Sequence, residues 1–329
     1  MTATRPWYRH RYHSPPSLRM VFATMPHLPR LVHPPMAAVT AALFFALLGA
    51  ERRAVLRNLQ VVTGRPGWRL WWTAYRVFYS FCDFIVSYCF VPGASHETLL
   101  SMLSDPERGA STIEACLAGG RGLMVWTAHV ANTEFASRLL ELHGRPVNVA
   151  RVLEPGNPAE AQLRDLMLNE RLRVVDMSDP LATVQLLHAL RAGEIVAMQG
   201  DRVFGGGGIS VPFFGRPTRF PVGPFHLAHA AGVPVLPGIV VRTGWLRYRM
   251  VIGPPLLLDT SEPSETAVPR ALAQAVSFLE AHLRRWHSQW LNFYDFWPAA
   301  VQPGPATRAP AAPPETTRQA QCPDMPPSQ

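Results

Sequence analysis

His129 and Glu134 stand five residues apart in the stretch GLMVWTAHVANTEFASRLLELHG (Gly122 to Gly144), and this meeting of imidazole and carboxylate is where chemistry concentrates. A histidine near neutral pH accepts a proton readily, and a neighbouring carboxylate fixes its tautomer and stabilises the imidazolium that forms. Such a pair removes the proton from a hydroxyl attacking an acyl thioester, with no nucleophilic side chain needed. Spacing alone does not decide the matter. Twelve histidines and 23 acidic residues in 329 positions give about one His-x4-acid pair by chance, and this is the only one. The competing reading is a core histidine beside a capping glutamate.

Local pattern favours the functional reading. Gly122 to Trp126 is short, apolar and bounded by glycines, as a buried strand should be, while Phe135, Leu139, Leu140 and Leu142 recur with helical spacing until Gly144. His129 therefore falls in a strand-to-helix turn. Asn132 or Thr133 caps the helix, and Glu134 lies in its first turn, where the helix dipole favours an ionised carboxylate that orients His129. Backbone amides in the turn after His129 are the expected oxyanion donors.

A second segment, GEIVAMQGDRVFGGGGISVPFFGRPTRFPVGPFHLAHAAGVPVLPGIVVR (Gly193 to Arg242), joins a strand ending in Asp201 and Arg202, a glycine loop, an apolar VPFFG turn, a helix and another strand. Ligand crevices of open α/β sheets form at the carboxyl ends of strands, so Asp201 and Arg202 share the rim with His129. Arg202 suits an anionic group; the alternative is an Asp–Arg pair that closes a loop. Arg151, ending the apolar run VNVAR, faces the same choice. Gly205 to Gly208 is followed by no lysine and is not a phosphate loop. It reads as a loop closing over a hydrocarbon groove lined by Phe204, Phe213 and Phe214, or as an exposed turn.

These motifs, with RRAVLRNL (Arg52 to Leu59) before them and QWLNFYDFW (Gln289 to Trp297) after, resemble the bacterial lipid A biosynthesis (late) acyltransferase family, which is lysophospholipid-acyltransferase-like. The resemblance spans roughly Arg52 to Trp297. It implies an O-acyltransferase with a catalytic dyad at His129 and Glu134, Asn132 matching the asparagine common between them, and acyl carrier protein or acyl-CoA as donor. Ala131 stands where a glycine is common, Thr133 where a tryptophan is common, and QGDR replaces the Asp-Gln of many lipid A enzymes. The acceptor is then a hydroxyl of a lipid A precursor or related glycolipid, or of a different lipid or pigment-like molecule. Asp201 and Arg202 are expected to position substrate or to support the dyad, and Arg151 and Asn132 are further substrate-binding candidates. No cofactor and no metal are expected. Two rivals are a metal-dependent hydrolase using His129, Glu134 and Asp201, and a non-catalytic lipid-binding protein.

Composition suits a membrane surface. A net charge of +8 attracts anionic lipid and an acidic carrier protein. Nucleic acid is disfavoured because the arginines are dispersed and no recognition motif appears. Met1 to Pro35 reads as a flexible basic, proline-rich arm. Met36 to Ala50 is an uncharged run short of the roughly 20 residues that span a bilayer, so it is expected to lie in one leaflet. The run begins too late for an export signal and has basic residues on both sides, which puts the following domain at the cytoplasmic face of a bacterial inner membrane. Arg69 to Val91 is a second interfacial helix or a core helix. Cysteines 82, 89, 116 and 322 lack the spacing of a zinc or disulfide framework.

Elsewhere strands alternate with helices, which predicts an α/β fold with a mostly parallel central sheet flanked by helices, behind a membrane-associating N-terminal helical region. Helices are expected at 157–171, 180–192, 224–231 and 266–287, and strands at 172–175, 195–198, 235–241 and 248–252. The acyltransferase domain covers 51–302, and 303–329 is a disordered tail.

Overall fold

A computed structural model describes residues 24–297 except 88, 106, 108, 154–170 and 204–206. The first arm, the expected helix at 157–171 and the tail after 302 lie wholly or largely outside these residues.

Six strands build the main sheet in the order β3-β2-β4-β1-β7-β8. They are β1 (Leu123–Thr127), β2 (Val147–Arg151), β3 (Leu172–Asp176), β4 (Ile195–Gln199), β7 (Val235–Gly244) and β8 (Arg247–Ile252). All neighbours run parallel except β7 and β8. Parallel strands covered on both faces must be apolar throughout, and Leu123, Ile195, Val196 and Val235 are all fully buried. The predicted α/β class is the one observed.

Segment 209–220 departs from expectation. It forms a two-stranded antiparallel sheet, β5 (Ile209–Phe213) and β6 (Arg216–Phe220), rather than an apolar turn. Val211, Phe213, Thr218 and Phe220 alternate inward with exposed residues between them, a period of two that the glycines and prolines around them obscure.

The described chain opens on the longer helices α1 (His33–Leu47), α2 (Gly49–Thr63) and α3 (Gly67–Ser87). α1 begins ahead of the apolar run because Pro34 and Pro35 occupy its first turn, where a missing N–H costs nothing. His33, expected in a flexible arm, is fully buried. α3 buries Val77, Phe78 and Val86 against the domain while its first turns stay exposed, so it is both a core helix and a surface one. Short helices α4 (His96–Ser101) and α5 (Ala110–Leu117) lead into β1, and α6 (Thr133–Leu140) follows it. α7 (Ala182–Arg191), α8 (Gly223–Ala231) and α9 (Ser264–Trp286) complete the cover.

Candidate active site

Parallel pairing of β1 with β4 sets Thr127 opposite Gln199. His129 and Asp201 each follow that rung by two residues, so register alone brings them to one crevice. The backbone is tight there. Gly200 donates its N–H to the Thr127 carbonyl at 2.8 Å, and a Cβ on Gly200 would lie 1.9 Å from Nε1 of Trp126. A glycine is needed at this place for close approach.

His129 Nδ1 lies 2.6 Å from Oδ1 of Asp201, and the His129 backbone N–H donates to Oδ2 at 3.2 Å. Trp290 Nε1 donates to the same Oδ2 at 3.0 Å. The carboxylate is fully buried, whereas the His129 side chain keeps 23% of its surface exposed. Burial opposes ionisation of Asp201, but the His129 ring, Arg202 and Trp290 together hold it well below the usual carboxylate range. Burial, and then the Arg202 guanidinium, lower the His129 pKa, with Asp201 pulling the other way. His129 is thereby neutral near pH 7, its Nδ1 turned to a carboxylate and its Nε2 without a partner among the described residues.

The turn carrying His129 is braced from the far end of the domain. Leu291 N–H donates to the His129 carbonyl and Ala131 N–H to the Gln289 carbonyl, each at 2.8 Å, and Val130 bridges Trp290. Ala131 adopts φ +48°, the left-handed region that favours glycine. The Val130 amide is held by the Ala128 carbonyl at 2.7 Å. The amides of Val130 and Ala131, expected as oxyanion donors, are thus already engaged. Arg202 donates to the Leu291 carbonyl at 2.6 Å and lies over the Tyr294 ring, so its guanidinium helps pin this brace.

Glu134 does not meet His129. Its Oε1 is 3.5 Å from the Arg151 guanidinium and its Oε2 accepts from Thr133 at 3.0 Å. In the first turn of α6 it faces the end of β2, while the histidine's Nδ1 faces β4. The orienting contact expected from Glu134 is therefore made by Asp201. Asn132 caps α6, its Oδ1 accepting the Phe135 N–H at 2.9 Å. Its Nδ2 reaches Ser87 and Tyr248, and with only 2% exposure it anchors the turn from inside. Among the described residues no cluster of three His, Cys, Asp or Glu side chains is arranged to hold a metal ion.

Between α6 and the sheet lies an open cleft lined by Thr127, Thr133, Glu134, Arg151 and Gln199 among others, but by neither His129 nor Asp201 themselves. Its sheet wall is layered by register. Val125, Ala197, Val149 and Val174 pair in sequence across β1, β4, β2 and β3, an aliphatic row. One step further along the same face come Thr127, Gln199 and Arg151, which with Glu134 and Thr133 make a polar rim. The apolar floor runs from Leu172 on β3 to Met250 and Ile252 on β8. Phe213, expected to line a groove, is instead fully buried against Phe220, Trp290 and Phe296; Phe204 lies outside the described residues.

Thr127, Gln199 and Trp290 are not among the candidate site residues of the sequence reading, although Gln199 opens QGDR and Trp290 lies in QWLNFYDFW. The first two carry a readable signal, since LMVWT and IVAMQ each end an apolar strand on a polar residue of the cavity-facing parity. Trp290 is marked only by its place in QWLNFYDFW, which says nothing of a contact with Asp201 89 residues away.

A family model for bacterial lipid A biosynthesis acyltransferases matches residues 18–297. Two curated relatives, the phosphatidylinositol mannoside acyltransferases of Mycobacterium tuberculosis strains CDC 1551 / Oshkosh and ATCC 25618 / H37Rv, are each 30% identical over 211 residues, 61% of this chain. The chain spans 65% of the length of these relatives.

Proposed function

The chain belongs to the bacterial lipid A biosynthesis acyltransferase family, and from that premise we propose that it is an O-acyltransferase moving a fatty acyl group from a thioester to a hydroxyl of a membrane glycolipid. The observation that carries this reading is the 2.6 Å contact between His129 Nδ1 and the buried Asp201 carboxylate, two residues beyond Thr127 and Gln199 at the polar rim of an apolar slot.

In this reading neutral His129 donates an Nδ1–H hydrogen bond to the ionised Asp201, which leaves Nε2 free of a proton and able to accept one. Nε2 takes the proton of the acceptor hydroxyl as its oxygen attacks the thioester carbonyl. The tetrahedral intermediate then collapses to the ester, and the departing thiolate takes the proton back from the imidazolium. Asp201 stabilises that imidazolium and fixes the ring, work worth roughly 10²–10⁴ in rate. Glu134 and Arg151 hold the rim of the slot.

The acyl chain lies in the slot. Its floor crosses from β3 to β8, five strand spacings or on the order of 20 Å, the scale of a fatty acyl chain rather than an acetyl group. Acyl carrier protein or acyl-CoA supplies it. The acceptor is a lipid A precursor or a related glycolipid, a class supported by the sugar-bearing lipid in the names of the two relatives. The enzyme works at the cytoplasmic face of the inner membrane, in keeping with arginines on both sides of the apolar N-terminal run.

Incubating the purified protein with acyl-carrier-protein or CoA thioesters and each acceptor glycolipid, followed by mass spectrometry, tests this. A mass increase of one acyl group on the lipid supports the reading. Release of free fatty acid without acylated lipid overturns it.

A further inference from the structure

β7 outruns β1. The two strands pair at Val235, Leu236 and Pro237, while β7 continues to Gly244 with β8 along its other side. Arg242 stands opposite Tyr248 there, and Tyr248 turns its own backbone away, donating to the Met102 carbonyl and accepting the Ser104 N–H. The N–H and carbonyl of Arg242 therefore face the edge that β1 has left, where buried backbone groups need another partner. Gln289 is that partner. Its Oε1 accepts the Arg242 N–H at 2.7 Å and its Nε2 donates to the Arg242 carbonyl at 2.8 Å, one side-chain amide standing in for a strand. Gln289 is 5% exposed.

Arg242 is itself fixed. Its Nε lies 3.0 Å from Oδ2 of Asp83 on α3, and its guanidinium lies over the Tyr79 ring of the same helix. On the other side, residues 289–291 meet both members of the dyad. The Gln289 carbonyl takes the Ala131 N–H, the Trp290 indole donates to Asp201, and the Leu291 N–H donates to the His129 carbonyl. Arg202 and Asn58 hold the segment beyond, at the carbonyls of Leu291, Asn292 and Tyr294. The Gln289 amide is the tie at the end nearest β7.

We propose that Gln289 is a positioning residue for the dyad: by docking residues 289–291 on β7 at Arg242 it sets the separation at which the His129 ring and the Asp201 carboxylate meet, with Asp83 holding the docking point through Arg242. The inference rests on the acyl-transfer reading for what His129 does. A catalytic group displaced by about 1 Å costs up to about a hundredfold in rate, so a tie that never touches substrate still governs turnover.

The test compares the full chain with Gln289→Met, which keeps the length of the side chain and loses both bonds to Arg242. The kcat is expected to fall about tenfold while KM for the thioester changes less than about twofold, because the slot is left alone. Burial lowers the His129 pKa; of the charged groups acting on it, Arg202 and Arg151 lower it further and Asp201 raises it. A looser Asp201 contact therefore moves the acid limb of kcat/KM to lower pH, and with it the His129 titration read by nitrogen NMR of labelled histidine. Asp83→Asn is expected to move both the same way by less, and to add nothing in the Gln289→Met background. Leu272→Ala, a core truncation outside these hydrogen bonds, lowers the melting temperature and moves neither. An unmoved limb and titration in Gln289→Met, or a change in KM alone, overturns the proposal, and additive effects of the two substitutions remove Asp83 from it. Should Gln289→Met fail to fold, Gln289→Asn, one methylene short of Arg242, is read in the same way. A native chain that transfers no acyl group sinks the acyl-transfer reading, and the NMR titration still decides the place of Gln289.

Discussion

His129 Nδ1 and Asp201 Oδ1 lie 2.6 Å apart although 72 residues separate them in the chain, and the Trp290 indole fixes the other carboxylate oxygen at 3.0 Å. Trp290→Phe keeps the ring's place among Phe213 and Phe296 but removes that donor. That oxygen keeps the His129 amide as a donor, and losing the indole's hydrogen bond to the carboxylate costs about 1.5–3 kcal/mol. Acyl transfer is expected to fall about tenfold and the melting temperature to drop. Full activity in steady-state assays of Trp290→Phe would remove the indole from the account.

Acid is expected to affect rate and stability in the same direction. In the proposed mechanism His129 acts when neutral, and burial and Arg202 lower its pKa below the ordinary 6.5, so the acid limb of kcat/KM is expected below pH 6.5. Asp201 raises that pKa, and Asp201→Asn therefore moves the limb further to acid while lowering the plateau. Burial also lowers His143 and His287. Below about pH 6.5 the unfolded chain takes up protons that these folded histidines resist, so the melting temperature falls as pH drops. A limb above pH 6.5, or one moved upward in Asp201→Asn, contradicts this assignment.

Ala131→Gly is a stabilising substitution. A residue with a Cβ at φ +48° carries a strain of about 1–2 kcal/mol. Glycine relieves it at an unfolded-state cost of roughly 0.4–1 kcal/mol. Calorimetry is expected to give a melting temperature about 2 °C higher, with the His129 turn unchanged in activity. A lower melting temperature shows that the turn is not strained.

If the acyl chain lies in the slot as proposed, filling the slot is expected to shorten the preferred chain. Ala197 sits between Val125 and Val149 in the aliphatic row. A Cβ on Gly238 would meet Val251 O and Ile252 Cγ1 at 3.7 and 3.8 Å, ordinary contacts, so a larger side chain there reaches into the space without backbone displacement. With Ala197→Leu or Gly238→Val, turnover of the longest thioesters is expected to fall about tenfold relative to the shortest, with an overpacking cost of about 1–3 kcal/mol. A chain-length profile identical to that of the unsubstituted protein places the acyl chain elsewhere.

Much of this architecture is legible in the sequence because local rules suffice for it. Apolar runs bounded by glycine gave β1 and β4, and Asn132 is the cap that a strand-to-helix turn calls for. His129 and Asp201 could both be placed at strand ends. Their direct contact could not, because it depends on the β1–β4 register, a long-range property that no spacing rule contains. Glu134, nearer to His129 in sequence, stands instead beside Arg151, which arrives from β2. The β5–β6 hairpin was masked by its prolines, and the start of α1 by Pro34 and Pro35, residues that discourage regular structure in general but fit a helix's first turn.

The most direct test is acyl-transfer turnover of Asp201→Asn beside Glu134→Gln, each checked for unaltered thermal unfolding. With Asp201 as the group that orients and charges His129, Asp201→Asn loses about a hundredfold or more while Glu134→Gln loses less than about tenfold. The reverse order, a crippled Glu134→Gln and a nearly normal Asp201→Asn, would contradict the dyad.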